Sequence, residues 1–297
     1  MSISGTVKPG HVWCLGSINA DHIYRLPRLP APGETLPATG YRRMLGGKGA
    51  NQSIAAARAG AKVRHVGAVG GDGAWMVAAL AKAGVDVGGV VTQGGVSGHA
   101  LVMVNEAGEN AIVIHPGANR ALDLAHVAEA LSGVAPGDWL LLQNETNLQV
   151  EAARLARQAG ADVAYSAAPF EVGAARAVLP LVTLLIVNHI EARQLEAALG
   201  PVGVPNMLVT KGAKGADWRD LSKGETVSVP APCVHVRDTT GAGDCFAGYM
   251  VAALAMGQPV RDALGLASAA AALQVTRDGA SEAIPGLAEV RAFLSQD

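Results

Sequence analysis

The sequence predicts an α/β fold, a mostly parallel β-sheet flanked by helices with a small β-sheet lid beside it. Three observations carry that expectation. Short, near-continuous apolar runs alternate with helical patterns along most of the 297 residues, as βαβ crossovers and a sheet covered on both faces require. The helical stretches carry apolar residues at i, i+3 and i+4 and often end in glycine, at Gly60, Gly84, Gly160 and Gly200. Two stretches, Asp21 to Leu45 and Gly98 to Ile114, break this rhythm with strand-like sequence and no helix.

Taken in order, the strand candidates are Val12–Leu15, Val63–Val66, Trp139–Leu142, Asp162–Tyr165, Leu184–Val187 and Met207–Thr210. Helices are expected between them at Lys48–Ala59, Trp75–Ala83, Asn147–Ala159 and Ile190–Leu199. The chain closes with Ala-rich helices at Ala242–Met256 and Arg261–Val275 and a short one near Leu287–Leu294. Strand pieces around His22–Tyr24 and Tyr41–Met44, with two alternating strands flanking the hairpin signal Asn105 to Glu109, supply the second sheet. No internal repeat or linker divides residues 1–297, so a single α/β unit is expected, with a lid from about 17–45 and 97–115.

Composition narrows the function classes. Lys and Arg number 23 against 25 Asp and Glu, a net charge of −2, which leaves no basic footprint for nucleic acid. Aromatic residues are 4%, too few for a base-stacking surface. The apolar stretch Leu179–Val187 is nine residues, with Pro180 and Thr183 inside it, far short of the roughly 18 that span a bilayer. Met1 to Gly10 has no apolar run behind a basic start, so no secretory signal is expected. Cys14, Cys233 and Cys245 form no CxxC pair, and the eight histidines show no metal-ligand spacing. A soluble, cytoplasmic protein without nucleic-acid or membrane partners is expected.

Two glycine-rich segments could carry chemistry. Asp238 to Asp244 (DTTGAGD) runs directly into an apolar helix. Backbone N–H groups of Gly241, Ala242 and Gly243 can converge on an anion at such a helix start, where the dipole adds attraction. An aspartate placed there either begins the helix in the ordinary way or takes a proton from a hydroxyl attacking a phosphoryl group. Gly46 to Asn51 (GGKGAN) also opens a helix, without the spacing of a Walker A loop. Its Lys48 and Asn51 can donate to hydroxyls, or Lys48 can simply be solvated. Polar groups gather at other strand ends, where open α/β sheets place their ligands: Asn19 and Asp21, Glu145, Asn188 with Glu191, and Thr210 to Gly215.

With Gly16 to Asp21 (GSINAD), Gly108-Glu-Asn110, Gly117-Ala-Asn119 and the NxxE run Asn188 to Glu191, these segments in this order resemble the ribokinase family (PfkB-type carbohydrate kinases), and the ribokinases within it in particular. The likeness runs from Gly16 to about Pro285. It implies a ribokinase-like fold and ATP-dependent phosphorylation of a sugar's primary hydroxyl, with D-ribose to D-ribose 5-phosphate the leading expectation. Asp244 would be the base, and Gly241, Ala242 and Gly243 the anion hole. Asn19, Asp21, Gly47, Lys48, Asn51, Glu145 and Asp244 would hold the sugar. Asn188, Thr210, Lys211, Gly212, Gly215, Gly243 and Ser268 would border the nucleotide. Glu191 would help organise Mg²⁺ through water. A monovalent cation, usually K⁺, would sit among Asp238, Thr240, Gln274, Arg277 and Gly279, and the lid would mediate a homodimer. A nucleoside kinase, or a non-catalytic sugar or nucleotide sensor on the same fold, are the alternatives.

The sequence departs from the family pattern at several places. Ala283 stands where a serine is usual in the cation loop, Asn144 where an apolar residue precedes Glu145, and Ser166-Ala-Ala-Pro169 where Asn-Pro-Ala-Pro is typical. Tyr249 is bulkier, and Ser268 smaller, than the residues usual there. Only Gly200 to Pro205 joins the NxxE segment to the next strand, where a further helix is usual.

Overall fold

The computed structural model describes residues 9–295. The signal-free reading of Met1 to Gly10 therefore lies, up to residue 8, outside the described residues. In chain order the first strands are β1 (Val12–Leu15), β2 (Asn19–Leu26), β3 (Gly40–Gly46), β4 (Val63–Val69), β5 (Asp86–Thr92), β6 (Gly98–Asn105) and β7 (Asn110–His115). They are followed by β8 (Trp139–Leu142), β9 (Asp162–Ser166), β10 (Leu184–Asn188), β11 (Asn206–Thr210), β12 (Ala216–Asp220) and β13 (Glu225–Val229). The helices are α1 (Lys48–Arg58), α2 (Ala74–Lys82), α3 (Leu124–Ala130), α4 (Gln149–Gln158), α5 (Val172–Val178), α6 (His189–Leu199), α7 (Ala242–Ala255), α8 (Val260–Gln274) and α9 (Leu287–Leu294).

A nine-stranded sheet runs in the order β13-β12-β11-β10-β9-β8-β1-β4-β5, parallel except at β12 and β13. All four residues of β1 are buried. Val12 and Cys14 join one core, with α1, α2, α7, α8 and α9, while Trp13 and Leu15 join the other, with α3 to α6. Both faces of the strand are covered, which is why it reads as a continuous apolar run. The neighbours of β1 are β4 and β8, so the chain leaves in opposite directions on its two sides. A crevice opens at the carboxyl ends of the strands at such a switch point.

The second sheet has the order β3-β2-β6-β7 and is assembled from the two helix-free stretches, as expected. It is mixed: β2 pairs with β3 antiparallel but with β6 parallel, because α1, β4, α2 and β5 intervene in the chain. The remaining differences from the sequence expectation are additions. The edge strands β5 (Gly88 and Gly89 within it) and β13, the strand β12 next to the edge, and the seven-residue helices α3 and α5, emerge only in the structure. The connection between α6 and β11 is residues 200–205, as short as the sequence indicates. Among the described residues no helix is long and apolar enough to cross a membrane.

Candidate active site

Two helix N-termini meet over the end of β1. Gly241 precedes α7 with φ +74°, a left-handed conformation that a Cβ disfavours, and Asp244 follows in the first turn, 9% exposed. Helix α7 lies flat on α1 because Gly248 has no side chain: a Cβ there would meet the Gln52 carbonyl oxygen at 2.4 Å. That contact brings the first turn of α1 against Asp244. Asn51 Nδ2 donates to Asp244 Oδ2 at 3.1 Å, and Gln52 Nε2 donates to Oδ1 at 2.9 Å. Lys48, on the same turn, is held charged above the usual ammonium range by Asp244 first, with Glu145 and Glu191 adding.

The acidic groups around it differ. Glu145 Oε2 accepts the Ser17 hydroxyl and, at 3.1 Å, the Lys48 amide, which ties the end of β8 to the start of α1. Asp21, on β2, has no such donors; burial, and then the charge of Glu145, push its carboxyl up to about 7. Asn19 Oδ1 accepts Asn119 Nδ2 at 2.7 Å, and Asn119 Oδ1 accepts the Ile18 amide at 2.9 Å. Asn19 therefore presents its remaining N–H groups as donors.

All seven residues expected to hold a sugar (Asn19, Asp21, Gly47, Lys48, Asn51, Glu145 and Asp244) line one cavity of about 610 Å³ between the lid sheet and α7. Ile23, Val102 and Ile112 of the lid roof it. A second cavity of about 400 Å³ lies on the other side of the same turn, lined by Thr210, Gly212, Gly215, Ala242, Gly243 and Ser268. Neighbouring residues of one helical turn thus face two cavities: Gly241 and Asp244 the first, Ala242 and Gly243 the second.

Of the residues expected to border the nucleotide, Lys211 and Asn188 do not line the second cavity, and neither does Glu191, expected near Mg²⁺. Lys211 Nζ is 2.6 Å from Asp217. Asn188 Oδ1 caps α6, accepting the Ile190 and Glu191 amides, and Glu191 Oε2 accepts the Asn188 amide in return. In the loop before α7, Asp238 takes the Thr240 and Gly279 amides on its two oxygens. Gln274 Nε2 donates to the Thr240 and Ala280 carbonyls, and its Oε1 is buried without a partner. Arg277 pairs with Glu289 at 2.8 Å; its guanidinium only donates, so a cation could meet its carbonyl alone.

The structure explains two departures from the family pattern together. Asn144 donates to the Pro169 carbonyl at 2.9 Å and accepts the Tyr165 hydroxyl at 2.5 Å, so it braces the segment that holds Ser166 to Pro169. Tyr249 is buried and donates to the Pro285 carbonyl at 2.7 Å, outside both cavities. Reasoning from sequence overlooked Ser17, Gln52 and Gln143. Gln52 carried a signal, since it is an amide on the helix face that otherwise presents alanine to the core.

Comparison with known proteins identifies the family. The model of the pfkB family of carbohydrate kinases matches residues 10–286. The chain is 36% identical to the ribokinase of Haemophilus influenzae over 94% of its own length and 97% of that protein's. Arabidopsis thaliana ribokinase, solved with ribose and ATP, superposes with a TM-score of 0.84 at 30% identity, covering 97% of this chain and 99% of that one. Ribokinase of Cryptococcus neoformans, solved with ADP, gives 0.83 at 33%, covering 95% and 99%. The chain belongs to the pfkB family of carbohydrate kinases and is ribokinase-like within it.

Proposed function

We propose that this protein transfers the γ-phosphoryl group of ATP to the primary hydroxyl of a small sugar, with D-ribose to D-ribose 5-phosphate as the leading reaction. The observation that carries the reading is the turn Gly241 to Asp244, which separates a cavity with Asn19, Asp21, Lys48 and Glu145 on its wall from one lined mostly by small and apolar residues. A sugar in the first cavity and a nucleotide in the second would meet across Asp244 and the Ala242 and Gly243 amides. Ribose and ATP together in the Arabidopsis relative are in keeping with this.

In the reaction the hydroxyl oxygen bonds to the γ-phosphorus as the bridging β–γ bond breaks, and the hydroxyl proton passes to a carboxylate oxygen of Asp244. The N–H groups of Gly241 and Gly243 at the start of α7 would face the charge spread over the transferred oxygens, whereas the Ala242 N–H donates to the Thr239 carbonyl at 3.2 Å and would join them only once that contact opens. Asn19 and Lys48 donate to the sugar, Asp21 and Glu145 accept from it, and Asn51 donates both to the sugar and to Asp244.

Two cations fit unequally. No group of three acidic, histidine or cysteine side chains among the described residues could hold a metal. A divalent ion would therefore arrive as Mg²⁺ on the nucleotide, with Glu191 reaching it through water. The buried, unpartnered Oε1 of Gln274 and the carbonyl-rich loop around Asp238, Thr240 and Gly279 suit a monovalent ion such as K⁺. Bound there, it would add positive charge beneath the start of α7.

The outer strand β7 pairs only with β6 and exposes Ile112, Val113 and Ile114. Those exposed apolar residues support a homodimer through the lid, which light scattering would test. A cytoplasmic setting belongs to the same reading. The apolar roof Ile23, Val102 and Ile112 favours one alternative, a nucleoside kinase with its base against the lid. Of the aromatic candidates for such a contact, Tyr41 lines the cavity and Tyr24 does not. An ADP-release assay across pentoses, ketohexoses and nucleosides, with and without K⁺, separates these. Ribose as the best substrate supports the first reading, nucleosides the second, and no turnover of any acceptor leaves only the sensor.

A further inference from the structure

Behind Asp244 runs a line of buried amides that the proposed reaction leaves unused. Gln143, at the end of β8, is 1% exposed, and Gln52, on α1, is fully buried. Gln143 Nε2 donates to Gln52 Oε1 at 2.7 Å, and Gln52 Nε2 donates to Asp244 Oδ1 at 2.9 Å. The backbone carbonyl of Gln143 is in turn held by Gln149 Nε2 at 3.2 Å. Both side-chain hydrogen bonds point the same way, toward the carboxylate.

The direction of this line is not free. A carboxylate only accepts, so Gln52 must present its NH₂ to Asp244, and its oxygen then needs a donor on the far side. Gln143 is that donor. Turning either amide over would place two oxygens, or two NH₂ groups, against each other. The arrangement carries a cost: Gln143 Oε1 is buried with no partner. An apolar side chain at position 143 would remove that orphan, yet the glutamine is what keeps Gln52 facing Asp244 with its donors.

From this we infer that Gln52 and Gln143 are positioning residues for Asp244, a two-amide relay that fixes the plane of its carboxylate against α1. With Asn51 Nδ2 on Oδ2 and Gln52 Nε2 on Oδ1, rotation about the Cβ–Cγ bond is blocked. The lone pairs left over on the carboxylate then keep one orientation toward the sugar cavity. Gln143 acts through Gln52, since its amide donates to Gln52 and makes no hydrogen bond to Asp244. The inference rests on the kinase reading for its consequence, because the oriented oxygen is the one that would receive the hydroxyl proton.

The test uses the full chain with Gln52→Met, Gln143→Met and the double variant, each keeping side-chain length without an amide. Sugar affinity is measured by calorimetry and turnover by ADP release, with thermal melting alongside. Gln52→Met lowers kcat about tenfold or more while sugar Kd stays within about threefold, as a lost positioning contact does. Gln143→Met lowers kcat about fivefold with melting unchanged, since one buried orphan replaces another. The double variant is no slower than Gln52→Met, because the two residues act in series. Unchanged kcat in Gln52→Met, or a double variant whose loss is the product of the single losses, overturns the relay.

One readout does not depend on turnover. The Gln52 side-chain NH₂ resonance, assigned by its loss in Gln52→Met, shifts in both Gln143→Met and Asp244→Asn. An unmoved resonance in either variant overturns the relay even if the protein phosphorylates no acceptor. Absence of all turnover, with the resonance moving as expected, overturns only the kinase reading.

Discussion

Asn119 Nδ2 lies 2.7 Å from Asn19 Oδ1, across 100 residues of sequence, and Asn119 is itself pinned by the Ile18 amide. This contact decides which way the amide of Asn19 faces the sugar cavity. Asn119→Ala removes it and leaves the Ile18 N–H buried without an acceptor. The expected outcome is a loss of about 1–3 kcal/mol of stability by denaturant unfolding. Sugar Kd rises about tenfold by calorimetry, as one donor to the ligand loses its orientation. A stability loss with unchanged sugar affinity would separate Asn119 from the site.

Asp21 gives the cavity a pH dependence. In the folded protein its carboxyl holds a proton up to about pH 7, whereas its ordinary value is 3.8. Between those values the folded state binds more protons than the unfolded one, so this group's contribution to stability falls as pH rises from about 4 to about 7. Asp21→Asn removes that slope, and its melting temperature gains on the parent's across the same window. Sugar hydroxyls donate best to the ionised carboxylate, so sugar Kd falls as pH rises toward about 7, by at most about tenfold per unit. In Asp21→Asn binding is weaker, and its pH profile is flat.

Much of the fold was legible because its strands are buried on both faces. Val12–Leu15, Trp139–Leu142 and Leu184–Val187 could be read from apolar character alone. The strands at and next to the sheet's edges could not. Asp217, Arg219 and Asp220 in β12 answer to solvent and to each other, and Gly88 and Gly89 dilute β5. Helices α3 and α5 have two turns each, too few for a helical period, and announce themselves only by their caps Asp123 and Glu171. In the site, the residues named from sequence lie inside contiguous motifs, though Ser17 within Gly16 to Asp21 was passed over, and partners such as Gln143 were not named. Gln143 meets Gln52 across 91 positions, and that meeting exists only once α1 crosses the end of β8.

Lys211 shows where a motif position and a side-chain role part. Its ammonium sits 2.6 Å from Asp217, whose Oδ1 also accepts the Ser228 hydroxyl at 2.8 Å. Burial works against the charge of Asp217, but the hydrogen bonds from Lys211 and Ser228 outweigh it and hold the carboxyl below its usual range. Lys211→Met is expected to lower the melting temperature by about 2–4 °C at neutral pH, the effect of about 1 kcal/mol. That difference fades as pH falls below the ordinary aspartate range, where the paired carboxylate takes up its proton. The KM for ATP changes less than about twofold. A larger rise in KM with unchanged melting would return Lys211 to the nucleotide.

Asp244→Asn tests the base while leaving the cavity nearly its own shape. The amide cannot take up the hydroxyl proton, and its NH₂ group must face the NH₂ of either Asn51 or Gln52. One of those donors loses its acceptor. Against that, the variant no longer buries a carboxylate at 9% exposure, so the two effects on stability oppose each other and melting shifts little. Lys48 loses the partner that does most to hold it charged, and its ammonium moves back toward its ordinary range. Turnover depends on the proton acceptor itself, and removal of a general base costs about 10²–10⁴-fold in kcat. Calorimetry should find sugar binding preserved within about tenfold, since Asn19, Lys48 and Glu145 remain. Turnover near the parent's in Asp244→Asn would move the base elsewhere, and Asp244 would be left as the residue that begins α7.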